Sequence, residues 1–240
     1  QSKLKLLKKN YDLQRQLLAQ ATLKNQVGMM SKKDLEDLNR QTQQMAEQIR
    51  QLQMSIDNAY IALNDLIGVA PEDRYEIIND VEYTPLEMNM SIDMYVSRKL
   101  STDQSLQMQQ IAVENAEFSA KTISLGTTGS EHRTSELEAT NTARDYKNAK
   151  ESKEKSIREA YIQLQQLESM RKNLETDLEK AKSDLEKVTV NYSVGNVTEI
   201  TLKQASLAVD SIENSLLENT LNHDLLMFTF DNTCVLGSAS

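Results

Sequence analysis

Apolar residues recur along most of this chain at alternating spacings of three and four, the period of a helix with one buried face. Leu4, Leu7, Tyr11, Leu18 and Ala21 predict a helix over residues 1–27, and it should stop at Val27 and Gly28, because Gly tolerates the left-handed conformation of a helix end. Ser31 is suited to cap the next helix. There the a and d places of a heptad read Leu35, Leu38, Thr42, Met45, Ile49, Leu52, Ile56, Ala59, Leu63 and Leu66, and all but Thr42 are apolar, which predicts a coiled-coil strand ended by Gly68 and Pro71. Residues 69–97 change character, with Pro71, Pro85, three tyrosines and short apolar pieces such as Ile77 and Ile78. Helical patterning resumes near Ser91 and runs to about Ile123, and Gly126 to Ser130 reads as a short turn. From about Glu136 to Tyr192 a charged helix keeps Ile157, Ala160, Leu164, Leu167, Leu174, Leu178, Ala181, Leu185, Val188 and Tyr192 in phase, with Arg171 the misfit. At about 1.5 Å per residue such a helix is on the order of 80 Å long, too long for a single-core globule. A last helix runs from about Thr198 to Asn232 and carries a second stripe, Leu217, Leu221, Leu225 and Phe228, beside Asp224. Two stripes on one helix imply two neighbours.

Composition agrees with long helices and few corners. The 240 residues contain six Gly, two Pro and no Trp, and only 5% are aromatic, whereas sheet proteins need turn-forming residues every few positions. The fold class expected is all-α, made of long antiparallel coiled-coil hairpins. A formal net charge of −9 without a basic stripe argues against nucleic acid as a partner. Cys234 is the lone cysteine, which excludes an internal disulfide and a multi-thiolate metal centre. No apolar run approaches the roughly 20 residues of a spanning helix, and residue 1 is a Gln without a leader-like segment behind it, so the chain reads as processed or excised.

The two halves repeat. Gly195 lies 167 residues after Gly28, and the same offset carries the ten heptad places onto Leu202, Ala205, Val209, Ile212, Leu216, Asn219, His223, Leu226, Phe230 and Thr233. Six of the ten pairs are apolar in both copies, in a phase counted from the shared Val-Gly corner, and this marks a duplicated helix, corner, helix unit. One seam per hairpin barely offsets the entropy of ordering two helices, so each hairpin needs lateral company.

The stretches NQVGMMSKKDLEDL and NYSVGNVTEITLKQA, each followed by a long amphipathic helix, resemble the paired periplasmic tips of the TolC-like outer membrane efflux family. RKLSTDQSLQMQQIAVENAEFSAKTI resembles the helix that rises towards that family's membrane barrel. The resemblance covers nearly the whole chain and implies a division into a first hairpin at 1–68 with its tip near 27–34, an equatorial-type connector at 69–97, and residues 98–240 with a rising helix, a turn near 126–130 and a second hairpin whose tip lies near 192–201. It implies a TolC-like helical barrel protomer of a homotrimer in the cell envelope, working with a periplasmic-adaptor-like protein and an inner-membrane pump. By resemblance the adaptor-facing residues are Val27, Gly28, Val194 and Gly195, and Asp34 and Tyr192 stand at gate positions. The matching arginine place holds Val197, and the acidic constriction places hold Thr201 and Gln204, so the family's ionic lock is incomplete. Between Ile123 and Glu136 there is room for a turn but not for two membrane-spanning strands, and on this reading the chain as written does not make a membrane pore of its own.

No enzyme signature accompanies this pattern, and no cofactor is called for: a phosphate loop, a dinucleotide glycine pattern and a zinc-spaced His-Glu pair are all missing. His132 reads as a solvated residue of the 126–130 region and His223 as a packed histidine on the helix seam, while the Glu and Lys pairs of 136–187 read as solvated helix faces. The functional expectation is a non-enzymatic efflux or secretion conduit docked through its corners. The alternative is a coiled-coil scaffold or tether with no lumen. The conduit reading requires both corners to be genuine breaks at the same end of the hairpins.

Overall fold

A computed structural model describes residues 1–75, 82–123 and 129–232. They form six helices: α1 (Ser2–Gln26), α2 (Lys32–Ile67), α3 (Ile92–Thr102), α4 (Gln104–Ile123), α5 (Gly129–Ser193) and α6 (Glu199–Asn232). There is no strand among the described residues, so the fold is all-α. Cys234, Ile77, Ile78, Gly126 and Thr233 lie outside the described residues.

The helices divide between two compact units. The first contains residues 1–81 and 171–219, the second residues 82–170 and 220–240, so α5 and α6 contribute to both. In the first unit α1 packs against α2, Lys182 of α5 reaches Glu213 of α6 at 3.2 Å, and Lys9 of α1 pairs with Asp210 of α6 at 2.7 Å. The α2 helix closes on Gly68 in the left-handed region (φ 73°), and the chain after it folds back onto a fully buried Asn64. The Asn64 side-chain amide lies within 2.9 to 3.2 Å of the carbonyls of Ala70, Pro71 and Asp73, and its Oδ1 accepts from Tyr75. Tyr60 sits edge-on to Tyr75 and donates to its carbonyl.

The second unit has the better-filled core. Val96 of α3, Ile157 and Leu164 of α5 and Phe230 of α6 are buried together, with Leu86, Tyr95 and Tyr161 packed round them. The Tyr95 ring stacks on Phe230 at 4.5 Å, and its hydroxyl donates to the Phe230 carbonyl.

Two boundaries and one buried face differ from the sequence reading. The run expected from Ser91 to Ile123 is broken at Asp103, an extended residue (φ −72°, ψ 112°) that ends α3 and caps α4 by accepting from the Leu106 N–H at 2.9 Å. The α5 helix starts at Gly129, so Gly129, Ser130 and His132 belong to a helical turn; His132 faces Glu136 one turn on at 3.5 Å and is only partly exposed. In the last turns of α2 the buried positions are Tyr60 and Asn64, whereas the heptad places Ala59 and Leu66 are exposed, Leu66 at 83%. A straight α-helix drifts by roughly 20° per heptad against a strict seven-residue repeat. After four heptads the inward face has moved on by nearly one residue, from 59 to 60 and from 63 to 64.

Candidate functional site: the two helix corners

The α1–α2 and α5–α6 corners both lie in the first unit, and they match bond for bond at the 167-residue offset. At the first, the N–H of Gly28 donates to Asn25 O at 3.0 Å and that of Met29 to Lys24 O at 2.8 Å; at the second, Gly195 donates to Tyr192 O at 3.0 Å and Asn196 to Asn191 O at 2.9 Å. These are the paired bonds of a Schellman helix end, which requires a left-handed residue after the last helical turn. Gly28 (φ 76°) and Gly195 (φ 77°) supply it.

The next helix starts alike in both copies. Ser31 Oγ accepts from the Asp34 N–H at 3.1 Å, and Thr198 Oγ1 accepts from the Thr201 N–H at 3.3 Å. Residue types differ at most of these places, so the repeat is a repeat of backbone hydrogen bonding. Gly68 closes α2 with the same bonds, from Gly68 to Asp65 O and from Val69 to Asn64 O. A left-handed glycine alone therefore stops a helix and nothing more. What sets the two corners apart is the immediate restart of a capped helix and the apolar side chains held outward between the two: Val27 is 68% exposed, Met29 80% and Val194 64%.

Both corners lie at one end of the first unit. Lys9 pairs with Asp210, and Lys203 donates to Gln16 at 3.2 Å, so α1 and α6 run antiparallel with partners whose numbers fall on one side as they rise on the other. Following that register, residues 23–26 at the end of α1 stand level with residues 193–196 of the second corner. No atom lies within 4 Å of where a Cβ would stand on Gly28 or Gly195, so the backbone of each corner is open to approach.

Of the gate candidates, Asp34 is spent locally: its Oδ2 accepts from the Ser31 hydroxyl at 2.7 Å while its N–H is capped by the same side chain. Tyr192 is exposed at the second corner, and its carbonyl accepts from Gly195. Among the described residues no hydrogen bond joins Asp34 to Tyr192. Val197 is half-buried, and Thr201, the repeat partner of Asp34, shares a hydroxyl contact with Thr198 at 3.0 Å. No three His, Cys, Asp or Glu side chains among the described residues converge as a metal centre. No helix of the described residues is long and apolar enough to cross a membrane.

Sequence reasoning located both corners and read His223 as packed, but it missed Met29, whose exposure depends on the corner bonds, and it missed the partners of His223 in the second unit. There His223 is completely buried, 3.6 Å from Glu168, and Glu168 also accepts from the Leu86 N–H at 2.7 Å.

This arrangement of paired helical hairpins has a counterpart among solved structures. One solved structure it resembles is the CmeC outer membrane channel of Campylobacter jejuni, with a TM-score of 0.55 at 14% sequence identity. The match takes in 93% of this chain and 57% of that one, so the chain spans little more than half the length of its neighbour. At this identity the likeness is one of fold. No family model matches the chain, and no curated protein matches it.

Proposed function

We propose that this chain is the helical-hairpin part of an envelope efflux or secretion channel, a homo-oligomer, trimeric by resemblance, that docks an adaptor protein through its two corners and cooperates with an inner-membrane pump. The observation that carries this reading is the pair of matched corners at one end of the first unit, each holding apolar side chains away from the helices that made it. Monomeric proteins bury such groups or scatter them; here Val27, Met29 and Val194 stand on rigid, duplicated backbone. The fold neighbour, an outer membrane channel, supports the conduit over the tether. The work of the chain is that of a wall and a docking rim, with no covalent step.

Two measurements test it. Sedimentation or light scattering of the chain in solution should give a trimer or a larger closed assembly; a monodisperse monomer or simple dimer would replace the conduit with the scaffold reading. Docking is tested with the α-helical hairpin of a periplasmic adaptor as the probe. Val27→Asp together with Val194→Asp should abolish its binding while leaving helicity and melting temperature unchanged, since neither side chain is buried. Undiminished binding would remove the docking role from the corners.

A further inference from the structure

We propose that His223 is a proton-responsive latch, whose protonation fastens the segment of residues 82–91 to α5 through Glu168. The inference rests on the second unit alone and stands or falls apart from the channel reading.

His223 has 0% exposure, and neither ring nitrogen has a hydrogen-bond partner. Buried polar atoms are rarely left so, because burial strips their water without replacing its hydrogen bonds. The titratable groups that meet the ring are Glu168 from α5, with Oε1 3.6 Å from Nε2, Asp224 from α6 itself, with Oδ1 3.6 Å from Nδ1, and Tyr83 from the 82–91 segment, its ring centroid 5.0 Å away. Arg171, one turn beyond Glu168 on α5, is ion-paired with Glu175 at 2.9 Å.

A neutral imidazole carries one N–H and one lone pair, so between two carboxylates at least one nitrogen faces an acceptor with nothing to offer it. Both carboxylates also stop short of hydrogen-bond distance. Protonation makes both nitrogens donors, each 3.6 Å from a carboxylate oxygen. A movement of several tenths of an ångström then yields two charge-assisted bonds, which are shorter and stronger than neutral ones. Glu168 is the point where this reaches the backbone. Its Oε1 already accepts from the Leu86 N–H, and a carboxylate oxygen has room for a second donor. With His223 charged, the carboxylate is pinned in the place where it holds Leu86; with His223 neutral, the partly exposed Glu168 loses that charge-assisted hold.

Hydrogen exchange of the full 240-residue chain, read by mass spectrometry on peptides covering residues 82–91 and corrected for the intrinsic pH dependence of exchange, tests this directly. Between about pH 8 and about pH 5.5, the range that spans imidazole titration, protection of this segment should rise on the order of tenfold. The rise should vanish in His223→Gln and in Glu168→Gln, the latter still able to accept from Leu86. An equal rise in His223→Gln, or none in the unaltered chain, overturns the proposal. Should His223→Gln fail to fold, the imidazole carbon signal of a His132→Gln chain decides the matter, because His223 is then the remaining histidine: a signal that does not move over the same range overturns the latch.

Discussion

Asp103 does three jobs with one carboxylate: it ends α3, caps α4 through the Leu106 N–H and binds the ammonium of Lys153 on α5 while almost wholly buried. Burial alone pushes a carboxyl group up, but here the hydrogen bond from Lys153, the Leu106 N–H and the Lys153 charge together hold it below the usual carboxylate range. A carboxyl group depressed on folding stabilises the folded state fully above its unfolded value, about 3.9, and that contribution is lost as pH falls further, through the folded value. Asp103→Asn is therefore expected to lower stability by about 1 to 3 kcal/mol at neutral pH, through the weakened cap and the broken pair. Its acid limb below about pH 4 should be shallower than that of the unaltered chain. Denaturant unfolding between pH 2 and pH 7 measures both, and parallel curves would deny Asp103 its role. At Gly28 and Gly195 the constraint is backbone sign. Either glycine changed to Ala should cost about 1 to 2 kcal/mol, because an L-residue is strained in the left-handed region even where, as here, the space is open. A thermal melt of each variant reads it, and a neutral result would mean the corner rearranges.

Among the elements, α2 separates heptad arithmetic from actual burial. The seam read from Leu35 onward holds through the middle of the helix, where Thr42 is buried and donates its hydroxyl to Leu38 O, and then slips to Tyr60 and Asn64. A two-stranded rod would supercoil to keep the seam in place; α2 instead keeps closer to 3.6 residues per turn and lets the seam rotate. Leu66→Ala should accordingly change stability by less than about 0.5 kcal/mol, as surface substitutions usually do. Tyr60→Ala, which removes a buried aromatic ring, should cost about 3 kcal/mol. The reverse order, measured by urea unfolding, would restore the strict heptad. On α5 the inward places from Ile157 to Val188 are all buried or half-buried, Arg171 among them because its guanidinium turns to Glu175. The Asp103 break was legible in kind, since Ser101, Thr102, Asp103 and Ser105 are cap-forming residues. The apolar pattern on either side of them is continuous enough to hide it.

At the scale of the whole molecule, the second stripe of α6 matters most. Leu221, Leu225 and Phe228 are exposed in the single chain, while the main seam of the same helix, from Leu202 to Phe230, faces inward throughout. If copies of this chain pack side by side, these residues are the ones to be covered. Leu225→Gln with Phe228→Gln should weaken self-association by on the order of tenfold or more while leaving the monomer's unfolding midpoint unchanged, because hydrophobic stabilisation follows area removed from water. Sedimentation equilibrium across a concentration series gives the answer, and an unchanged constant would assign the stripe to solvent.

Periodicity, glycine placement and the repeat offset were sufficient to define α1, α2 and α6, both corners and the inward face of α6, because each depends on local geometry: 3.6 residues per turn, one left-handed residue per corner, one oxygen per cap. They even placed Asn219 and His223 on the buried seam against their polarity. Tertiary structure alone decided which groups meet at a distance along the chain. Asp103 finds Lys153, Glu168 finds both Leu86 and His223, and the α1–α6 register brings the corners to one end. No local rule contains these pairings, because the energy that selects them arises only when water is expelled between elements far apart in the chain.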